Sequence, residues 1–507
     1  MVAQLRKSRF GRNGGARLGR RPLRRVVAAA AALLALPFGA AAAASVPEMG
    51  LWVTAQGEGS FLARRQLPEL QPGVPTGAIS LDPGRRYQQI VGFGAAISDS
   101  AAHLIQRRLS SAQRQALFLD LFGPAPGANF SLIRLPLGSS DFSSRHYSFN
   151  DMPAGSVDPE IRHFSLEAAR PELLPTLKAA LALNPSLRII GTPWSAPGWM
   201  KSSGSLVAGT LKDEYQQAFA TYLRRTLEEF GREGVPIHYV TIQNEPDHEP
   251  ADYPGMRLSP QQRARIIGQY VGPEFRRAGV RAKLLEWDHN WAAPDQPLAV
   301  LADPLASSFI SGVAWHCYAG DPAAQSQVAA LHPGKDVFFT ECSGGEWSPG
   351  WAGSFPWTMR NLIVGATRNS ARGVLLWNLA LDEKHGPRLG GCSNCRGVVT
   401  IDSRSGAVVR NAEYYALAHL SRFVPPGSWR IETGNPHDRL LTVGFQTRQS
   451  QVLLAFNDAA SAVEAVVAVG GSHLRFRLPA QAAATLVLPL SSAGSGSGEP
   501  FDDFLLR

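Results

Sequence analysis

The sequence predicts an α/β fold: a (β/α)8 TIM barrel with an accompanying all-β sandwich domain. Eight short apolar runs each precede a longer segment, and several of these segments have the periodicity of amphipathic helices. Strands that alternate with helices pair in parallel, because a parallel neighbour requires a crossover. Eight such repeats can close into a barrel, and a doubly wound open sheet is the alternative.

The eight predicted strands are rich in β-branched, aromatic and aliphatic side chains, and lie at residues 89–95, 130–137, 188–194, 238–244, 283–287, 313–318, 337–341 and 374–379. Apolar positions at helical spacing predict helices at residues 110–122, 215–230 and 259–278. Polar and aromatic residues gather at the end of nearly every strand. The carboxyl ends of barrel strands form the face where active sites lie, so this placement favours the barrel.

The chain is predicted to contain two folded domains and two further segments at its ends. The barrel is expected at residues 86–421 and a C-terminal β-sandwich domain at 422–490, where only short strands are evident, at 429–433, 440–446, 451–457, 462–469, 473–478 and 484–488. Residues 45–85 are expected to add strands to the β domain. The Ser/Gly-rich tail 491–507 is expected to be flexible.

Residues 1–44 have the parts of a signal peptide. A basic region precedes the apolar run 26–36, and the small residues 40–44 offer a cleavage site. The apolar run is too short for a stable membrane span, although an uncleaved anchor is the alternative. Nine Lys and Arg residues within 1–25 equal the whole formal charge of +9, so the charge gives no reason to expect a nucleic-acid partner. A secreted or periplasmic protein is predicted, exported by the Sec or the twin-arginine route.

Four cysteines are present. Cys392 and Cys395 form a CxxC motif in a Gly-rich loop. A zinc site would need two more ligands nearby and none is evident, so a local disulfide is expected in an exported protein. Cys317 and Cys342 lie near strand ends, and the sequence leaves open whether they pair or remain free.

Two glutamates stand at the ends of the fourth and seventh predicted strands, Glu245 and Glu341. A carboxylate at the end of a buried strand is costly unless it has a function. Glycoside hydrolysis needs a proton donor on one side of the glycosidic bond and a nucleophile or base on the other. Glu245, beside the amide of Asn244, suits the donor, and Glu341 suits the nucleophile. Two structural ion pairs are the alternative.

Several motifs resemble glycoside hydrolase family 30, in particular its glucosylceramidase-like branch, over residues 88–424 and the β domain. They are GFGAAISD at 92–99, IRLPLGSSDFS at 133–143, TPWSAPGWMK at 192–201, QNEP at 243–246, HCY at 316–318 and WNLA at 377–380. The resemblance implies a retaining mechanism with Glu245 as acid/base and Glu341 as nucleophile. The loop 382–396, which carries the CxxC, departs from animal glucosylceramidases and resembles bacterial and β-1,6-glucanase relatives, so it leaves the aglycone open.

The resemblance also implies substrate-binding roles for the residues around the two glutamates, namely Arg134, Asp141, Trp194, Asn244, His316, Tyr318, Trp377 and Asn378. Arg134 is expected to hold Glu341 through its guanidinium, and Tyr318 to hydrogen-bond the same carboxylate. Several of these roles have a structural alternative: a salt bridge for Arg134, a loop cap for Asp141, and a buried core position for His316 and the two tryptophans. Asp288 and His289 are weaker candidates, and Trp347, six residues after Glu341, is expected on a substrate loop.

The leading interpretation is a secreted retaining β-glucosidase that acts on glucosylceramide or a related β-glucoside, either a glycolipid or a β-glucan. An endo-β-1,6-glucanase or a β-xylosidase of the same family is the alternative among enzymes. A carbohydrate-binding protein on an inactive barrel is the alternative from another class, but such proteins usually lose one of the two carboxylates. No cofactor and no required metal are expected.

Overall fold

The computed structural model describes residues 48–348, 350–434 and 439–490. The expected signal peptide and C-terminal tail lie outside the described residues. At the centre are eight parallel strands: β1 (Gly92–Ala95), β2 (Leu132–Pro136), β3 (Arg188–Thr192), β4 (Tyr239–Thr241), β5 (Lys283–Asn290), β6 (Ile310–His316), β7 (Asp336–Glu341) and β8 (Ala371–Leu376).

The eight strands form a barrel, which confirms the predicted fold class. Each strand from β2 to β8 pairs with its neighbour in the chain, and β8 pairs with β1. The remaining seam between β1 and β2 is closed by a bridge between Ala96 and Arg134 and by the bond from Ser131 N to Phe93 O, 3.1 Å long. Every predicted strand is therefore present.

Helices surround the barrel at Asp99–Arg107, Ser111–Phe122, Leu173–Leu183, Gln216–Arg232, Pro260–Arg265, Gly272–Ala278, Asp295–Leu301, Pro304–Phe309, Ala323–Leu331, Trp351–Thr358 and Ala412–Ser421. π-Helical segments, Ile266–Val271 and Met359–Ala366, continue two of them, and short 3-10 turns lie at Gln56–Glu58, Gly198–Met200 and Asp213–Tyr215. The predicted helices 110–122 and 259–278 begin where Ser110 and Ser259 cap them with capping boxes. Among the described residues, none of these helices is long and apolar enough to cross a membrane.

The lower interior of the barrel is filled with apolar side chains, one from each strand or its immediate entry. They form one buried cluster: Val91, Leu132, Ile190, Tyr239, Leu285, Ala314, Phe338 and Leu375. A larger cluster joins the outer faces of the strands to the helices; the helix Gln216–Arg232, for example, buries Phe219, Leu223 and Phe230. The barrel is thus a packed core whose upper end is left for polar groups.

An antiparallel β sandwich accompanies the barrel. Its seven-stranded sheet has the order Ser60–Arg65, Gly50–Ala55, Ala483–Pro489, Ser450–Asn457, Leu440–Gln446, Trp429–Thr433 and Leu81–Gln89, and its second sheet contains Val463–Val469, Ser472–Leu478 and Gln71–Pro72. Strands from before the barrel therefore pair with strands from after it. The exact domain boundaries stay a prediction. His419 of the last barrel helix reaches the sandwich, with its ring nitrogens 2.8 Å from Thr54 Oγ1 and 2.8 Å from Thr485 Oγ1.

The loop after β8 is held by short strands and a disulfide. Ala380–Asp382 pairs with Val399–Ile401, which pairs with Val408–Arg410, and Gly344–Gly345 pairs with Cys395–Arg396. Cys392 is bonded to Cys395, as predicted. Cys317 is bonded to Cys342, which links the segments that follow β6 and β7.

Candidate active site

A layer of buried polar side chains lies directly above the apolar interior of the barrel. Because side chains alternate along a strand, the residue two positions after an inward apolar residue also points inward. Arg134 follows Leu132 in this way, and Thr340 follows Phe338. The layer consists of Arg134, Thr192, Thr241, Asp288, His316 and Thr340, each at most 1% exposed.

Asp288 is the centre of this layer. Its carboxylate accepts hydrogen bonds from Arg134 Nη2 (2.8 Å), Thr192 Oγ1 (3.1 Å), Thr241 Oγ1 (3.0 Å) and Thr340 Oγ1 (2.7 Å), and lies 3.0 Å from His316 Nε2. Burial alone would raise the pKa of Asp288, but the Arg134 guanidinium and the contact with His316 hold it well below its usual range. Asp288 is therefore a permanent anion beneath the cavity.

Arg134 joins Asp288 to Glu341. Its Nη1 donates to Glu341 Oε2, and its Nη2 donates also to Asn244 Oδ1 at 2.7 Å. Tyr318 donates its hydroxyl proton to the other oxygen of Glu341, Oε1, at 2.8 Å. Both contacts that the sequence led us to expect for Glu341 are present, and together they fix the carboxylate from two directions.

Glu245 lies at a bend where the chain leaves β4. Its φ of +46° is in the left-handed region, and its backbone N–H donates to the carbonyl of Asp288 at 3.1 Å, so the chain turns the side chain over the barrel mouth. Its Oε1 lies 3.0 Å from His316 Nδ1 and 3.3 Å from His289 Nδ1. Burial acts to raise the pKa of Glu245, but the two histidines outweigh it and lower the pKa.

His316 lies between two carboxylates, Glu245 on Nδ1 and Asp288 on Nε2. Burial lowers the pKa of His316, but the charge of Glu341 and the contacts with Asp288 and Glu245 outweigh burial and raise the pKa to about 9. Below that pH the pair of Glu245 and His316 together holds one proton.

Asp141 approaches the two glutamates from the loop after β2. Burial and the charge of Glu341 raise its pKa to about 8, so the group is protonated at neutral pH. Its position depends on the loop after β8, because Leu389 N donates to the backbone oxygen of Asp141 at 2.9 Å. Gly391, with φ +64°, packs against the Asp141 side chain so closely that a Cβ there would lie 2.5 Å from Asp141 Cβ.

Two tryptophans form an aromatic wall. The rings of Trp194 and Trp377 stack with centroids 5.0 Å apart and planes inclined by 22°. The Arg134 guanidinium carbon lies 4.8 Å from the Trp194 ring centroid, which adds a cation–π contact behind the wall. An aromatic face of this size can bind the apolar face of a sugar ring.

All these groups surround one cavity of about 400 Å3. It is lined by Asp141, Trp194, Asn244, Glu245, Tyr253, Tyr318, Glu341, Trp347, Trp377, Cys392 and Cys395. Three further residues of the predicted set, Arg134, His316 and Asn378, are fully buried and do not line it. Arg134 and His316 support the glutamates from beneath, whereas Asn378 accepts a hydrogen bond from Ser98 Oγ at 2.7 Å.

The sequence did not identify Tyr253 as cavity lining, and it ranked Asp288 and His289 low. It associated the loop of Cys392 and Cys395 with the leaving-group side, and the disulfide between them lines the cavity. Tyr253 lies in the loop after β4, and His248 Nε2 lies 3.1 Å from its hydroxyl oxygen. The available signal for Tyr253 was its position: it is an aromatic residue near Pro250 and Pro254, a few positions after the candidate catalytic residue Glu245. Trp347, which was expected on a substrate loop, lines the cavity and is 54% exposed.

Comparison with known proteins agrees with this geometry. The profile of the "Glycosyl hydrolase family 30 TIM-barrel domain" matches residues 90–424. The chain is 35% identical to the endo-1,6-beta-D-glucanase of Neurospora crassa, with 68% of this chain and 72% of that protein covered. It is 28% identical to the lysosomal acid glucosylceramidase of Mus musculus, with 70% and 71% covered.

Among solved structures, the endo-beta1,6-glucanase BT3312 superposes with a TM-score of 0.81 at 29% identity, covering 88% of this chain and 100% of that one. The chain therefore belongs to glycosyl hydrolase family 30. It is a glycoside hydrolase, and its substrate is a carbohydrate.

Proposed function

We propose that this family 30 glycoside hydrolase is an exported endo-β-1,6-glucanase that cleaves β-1,6-linked glucan with retention of anomeric configuration. The observation that carries the proposal is the greater similarity to endo-1,6-β-glucanases than to glucosylceramidase. This reverses the order of the two interpretations drawn from the sequence, where glucosylceramidase came first. The basic and apolar leader supports export.

Glu341 is proposed as the nucleophile. Arg134 and Tyr318 each donate to one of its oxygens, which favours the anionic carboxylate and holds it in one orientation. The carboxylate attacks the anomeric carbon and forms a glycosyl-enzyme, while the glycosidic oxygen leaves with a proton. Arg134 and Tyr318 then stabilise Glu341 as the leaving carboxylate in the second step.

Glu245 is proposed as the acid and then the base. The proton that it delivers is held jointly with His316, 3.0 Å away, because His316 keeps a proton below about pH 9. Transfer of that proton across the hydrogen bond converts Glu245 into the acid needed by the leaving oxygen. In the second step the Glu245 carboxylate takes the proton of the attacking water.

The mouth of the cavity supports an extended glucan as substrate. Trp347 is half exposed and lines the same cavity as the two glutamates, so its ring is available to a glucosyl unit beyond the one that is cleaved. The Cys392–Cys395 disulfide and Tyr253 line the cavity as well. The disulfide lies in the loop that departs from animal glucosylceramidases, which favours the glucanase over the glycolipid hydrolase.

The decisive experiment compares substrates. Purified enzyme is incubated separately with a β-1,6-glucan, glucosylceramide and an aryl β-xyloside, and the products are separated by chromatography. We expect short β-1,6-linked oligosaccharides to appear first from the glucan, with much slower release from the other two. Glucosylceramide as the preferred substrate would contradict the proposal and restore the glucosylceramidase interpretation.

The mechanism is tested separately. Proton NMR of the first product should show the β anomer, and an initial α anomer would contradict retention. Replacement of Glu341 by Gln should abolish covalent labelling by a mechanism-based β-glucoside inactivator. Replacement of Glu245 by Gln should slow substrates with poor leaving groups far more than activated aryl glucosides, because only the former need the proton.

A further inference from the structure

We propose that Glu245, His289 and His316 form a binding site for one divalent transition-metal ion, with Zn²⁺ as the best match, and that the bound ion inhibits the enzyme. One oxygen and two ring nitrogens of these residues all lie within 4.8 Å of one another. Two histidines and one glutamate are a ligand set that zinc accepts with a fourth position left open. Glu245 lines the cavity, so an ion can reach the site from there.

The distances fit a metal ion. With metal–ligand distances of about 2.0–2.2 Å, a tetrahedral ion places neighbouring ligand atoms about 3.3 Å apart. Glu245 Oε1 lies 3.0 Å from His316 Nδ1 and 3.3 Å from His289 Nδ1. Two of the three ligand distances therefore match a tetrahedral ion, and the ligand atoms of all three residues lie within 4.8 Å of one another, so an ion can enter with a modest adjustment of the side chains.

The surroundings of both histidines also fit. His316 presents Nδ1 to the site because its other nitrogen, Nε2, contacts the Asp288 carboxylate at 3.0 Å, which is the arrangement that orients metal-binding histidines. His289 Nδ1 is buried and makes no hydrogen bond within the described part of the chain, although it points at Glu245. A metal ion would give this buried nitrogen a direct ligand bond in place of its 3.3 Å ion-pair contact with Glu245.

The charge of the site favours a divalent cation. Three carboxylates lie together here, those of Glu245, Glu341 and Asp288. Arg134 contacts two of them, Asp288 and Glu341, with its guanidinium. With neutral histidines, this leaves a surplus of two negative charges, which one divalent ion balances. The ion competes with the proton on His316, because histidine binds metals in its neutral form.

Binding would block catalysis directly. An ion on Glu245 Oε1 occupies the lone pair that must carry the proton to the leaving oxygen, so the loss of activity rests on the acid/base role proposed above. Binding itself does not depend on that role. Measurements of binding and of inhibition therefore test different statements.

Equilibrium dialysis of the full-length enzyme against Zn²⁺ alone, at about pH 8 and without substrate, tests the site. We expect one ion per chain, and we expect His289→Asn to weaken its binding by about 10- to 100-fold. His332→Asn is the matched control, because His332 ends the helix Ala323–Leu331 ahead of β7 and is remote from β7's catalytic end. A thermal unfolding scan shows that each variant is folded, and His289→Gln replaces the first variant if it is not.

Inhibition is measured with EDTA-treated enzyme and a β-1,6-glucan, each variant being compared with its own metal-free rate. Zn²⁺ should inhibit the wild type and the control at the same concentration, and His289→Asn only at about 10- to 100-fold higher concentration. The absence of a saturable site in dialysis, or equal affinity in wild type and His289→Asn, would overturn the proposal. If the glucan is not cleaved at all, the proposed function fails while dialysis still decides the metal site.

Discussion

Replacement of Asp288 by Asn should abolish most activity. Loss of an equally buried ion pair on the same strand should leave catalysis nearly unchanged. Asp288 carries the negative charge to which both Arg134 and His316 are bonded. Asparagine keeps the size of the side chain but removes the charge and turns an NH2 group toward one of these donors. The two groups that hold Glu341 and Glu245 then lose their common anchor.

The magnitude follows from the contacts. Hydrogen bonds that involve charged groups contribute about 1.5–3 kcal/mol each, so two of them correspond to about 3–6 kcal/mol. Since about 1.4 kcal/mol is a factor of ten in rate, a loss of even the lower amount from the transition state predicts a fall in kcat/KM of at least about 100-fold. Stability should fall as well, by about 3–5 kcal/mol, as expected for a broken buried ion pair.

Glu286→Gln is the matched control. Glu286 lies two residues earlier on β5, and its carboxylate accepts from Arg263 Nε at 2.7 Å in an ion pair whose two side chains are each 1% exposed. This variant should lose similar stability by thermal or urea unfolding, yet keep kcat/KM on an aryl β-glucoside within a few fold. If both variants lose activity equally, the effect of Asp288 is general destabilisation and the reasoning about its anchoring role is refuted.

Three further perturbations have defined outcomes. Tyr318→Phe removes one of the two donors to Glu341, so kcat/KM should fall by about 10- to 100-fold with little change in the melting temperature; an unchanged kcat/KM would contradict the contact. Lys201→Met leaves Ser195 Oγ and the carbonyls of Leu206 and Gly255 without their buried donor, and should cost about 3 kcal/mol or more in urea unfolding. Burial lowers the pKa of His419 to about 3, so its contribution to stability is fully present above about pH 6.5 and is lost as the pH falls. At pH 4.5 this loss amounts to about 2.7 kcal/mol relative to a pH well above 6.5, so the stability difference between wild type and His419→Gln should shrink as the pH falls to 4.5.

Much of the fold could be predicted because its signals are local. The eight strands are apolar runs, and the helices at 110–122 and 259–278 begin at serines that cap them. The helix at 259–278 was predicted as regular, but its interior is not. Pro273 lacks an N–H and disturbs the turn before it, where the chain forms the π-helical segment Ile266–Val271. The fourth strand ends at Thr241 rather than residue 244, four residues before the bend at Glu245.

The site was predicted where side chains follow strand alternation and missed where the backbone breaks it. Trp287 and Asp288 have φ of +74° and +54°, and the register of β5 against β6 shifts at this point. Strict alternation from Leu285 would place Trp287 in the interior and Asp288 outside. The irregularity brings Asp288 inward instead, so the central anion of the site looked like a minor candidate. Tyr253 reaches the cavity from the loop after β4, whose course no local sequence pattern records.

The pattern along the strands also explains how the charged groups of the candidate site can be buried. In β2, β6 and β7 an inward apolar residue is followed two positions later by Arg134, His316 or Thr340. The apolar residues below exclude water, and the polar residues above are bonded to Asp288, so each buried charge has a partner. Arg134 in turn donates to Glu341, and His316 contacts Glu245. The orientation of the two glutamates is therefore set by strand residues of a rigid barrel, while Tyr253, Trp347 and the Cys392–Cys395 disulfide stand on loops that can change the substrate without moving the glutamates.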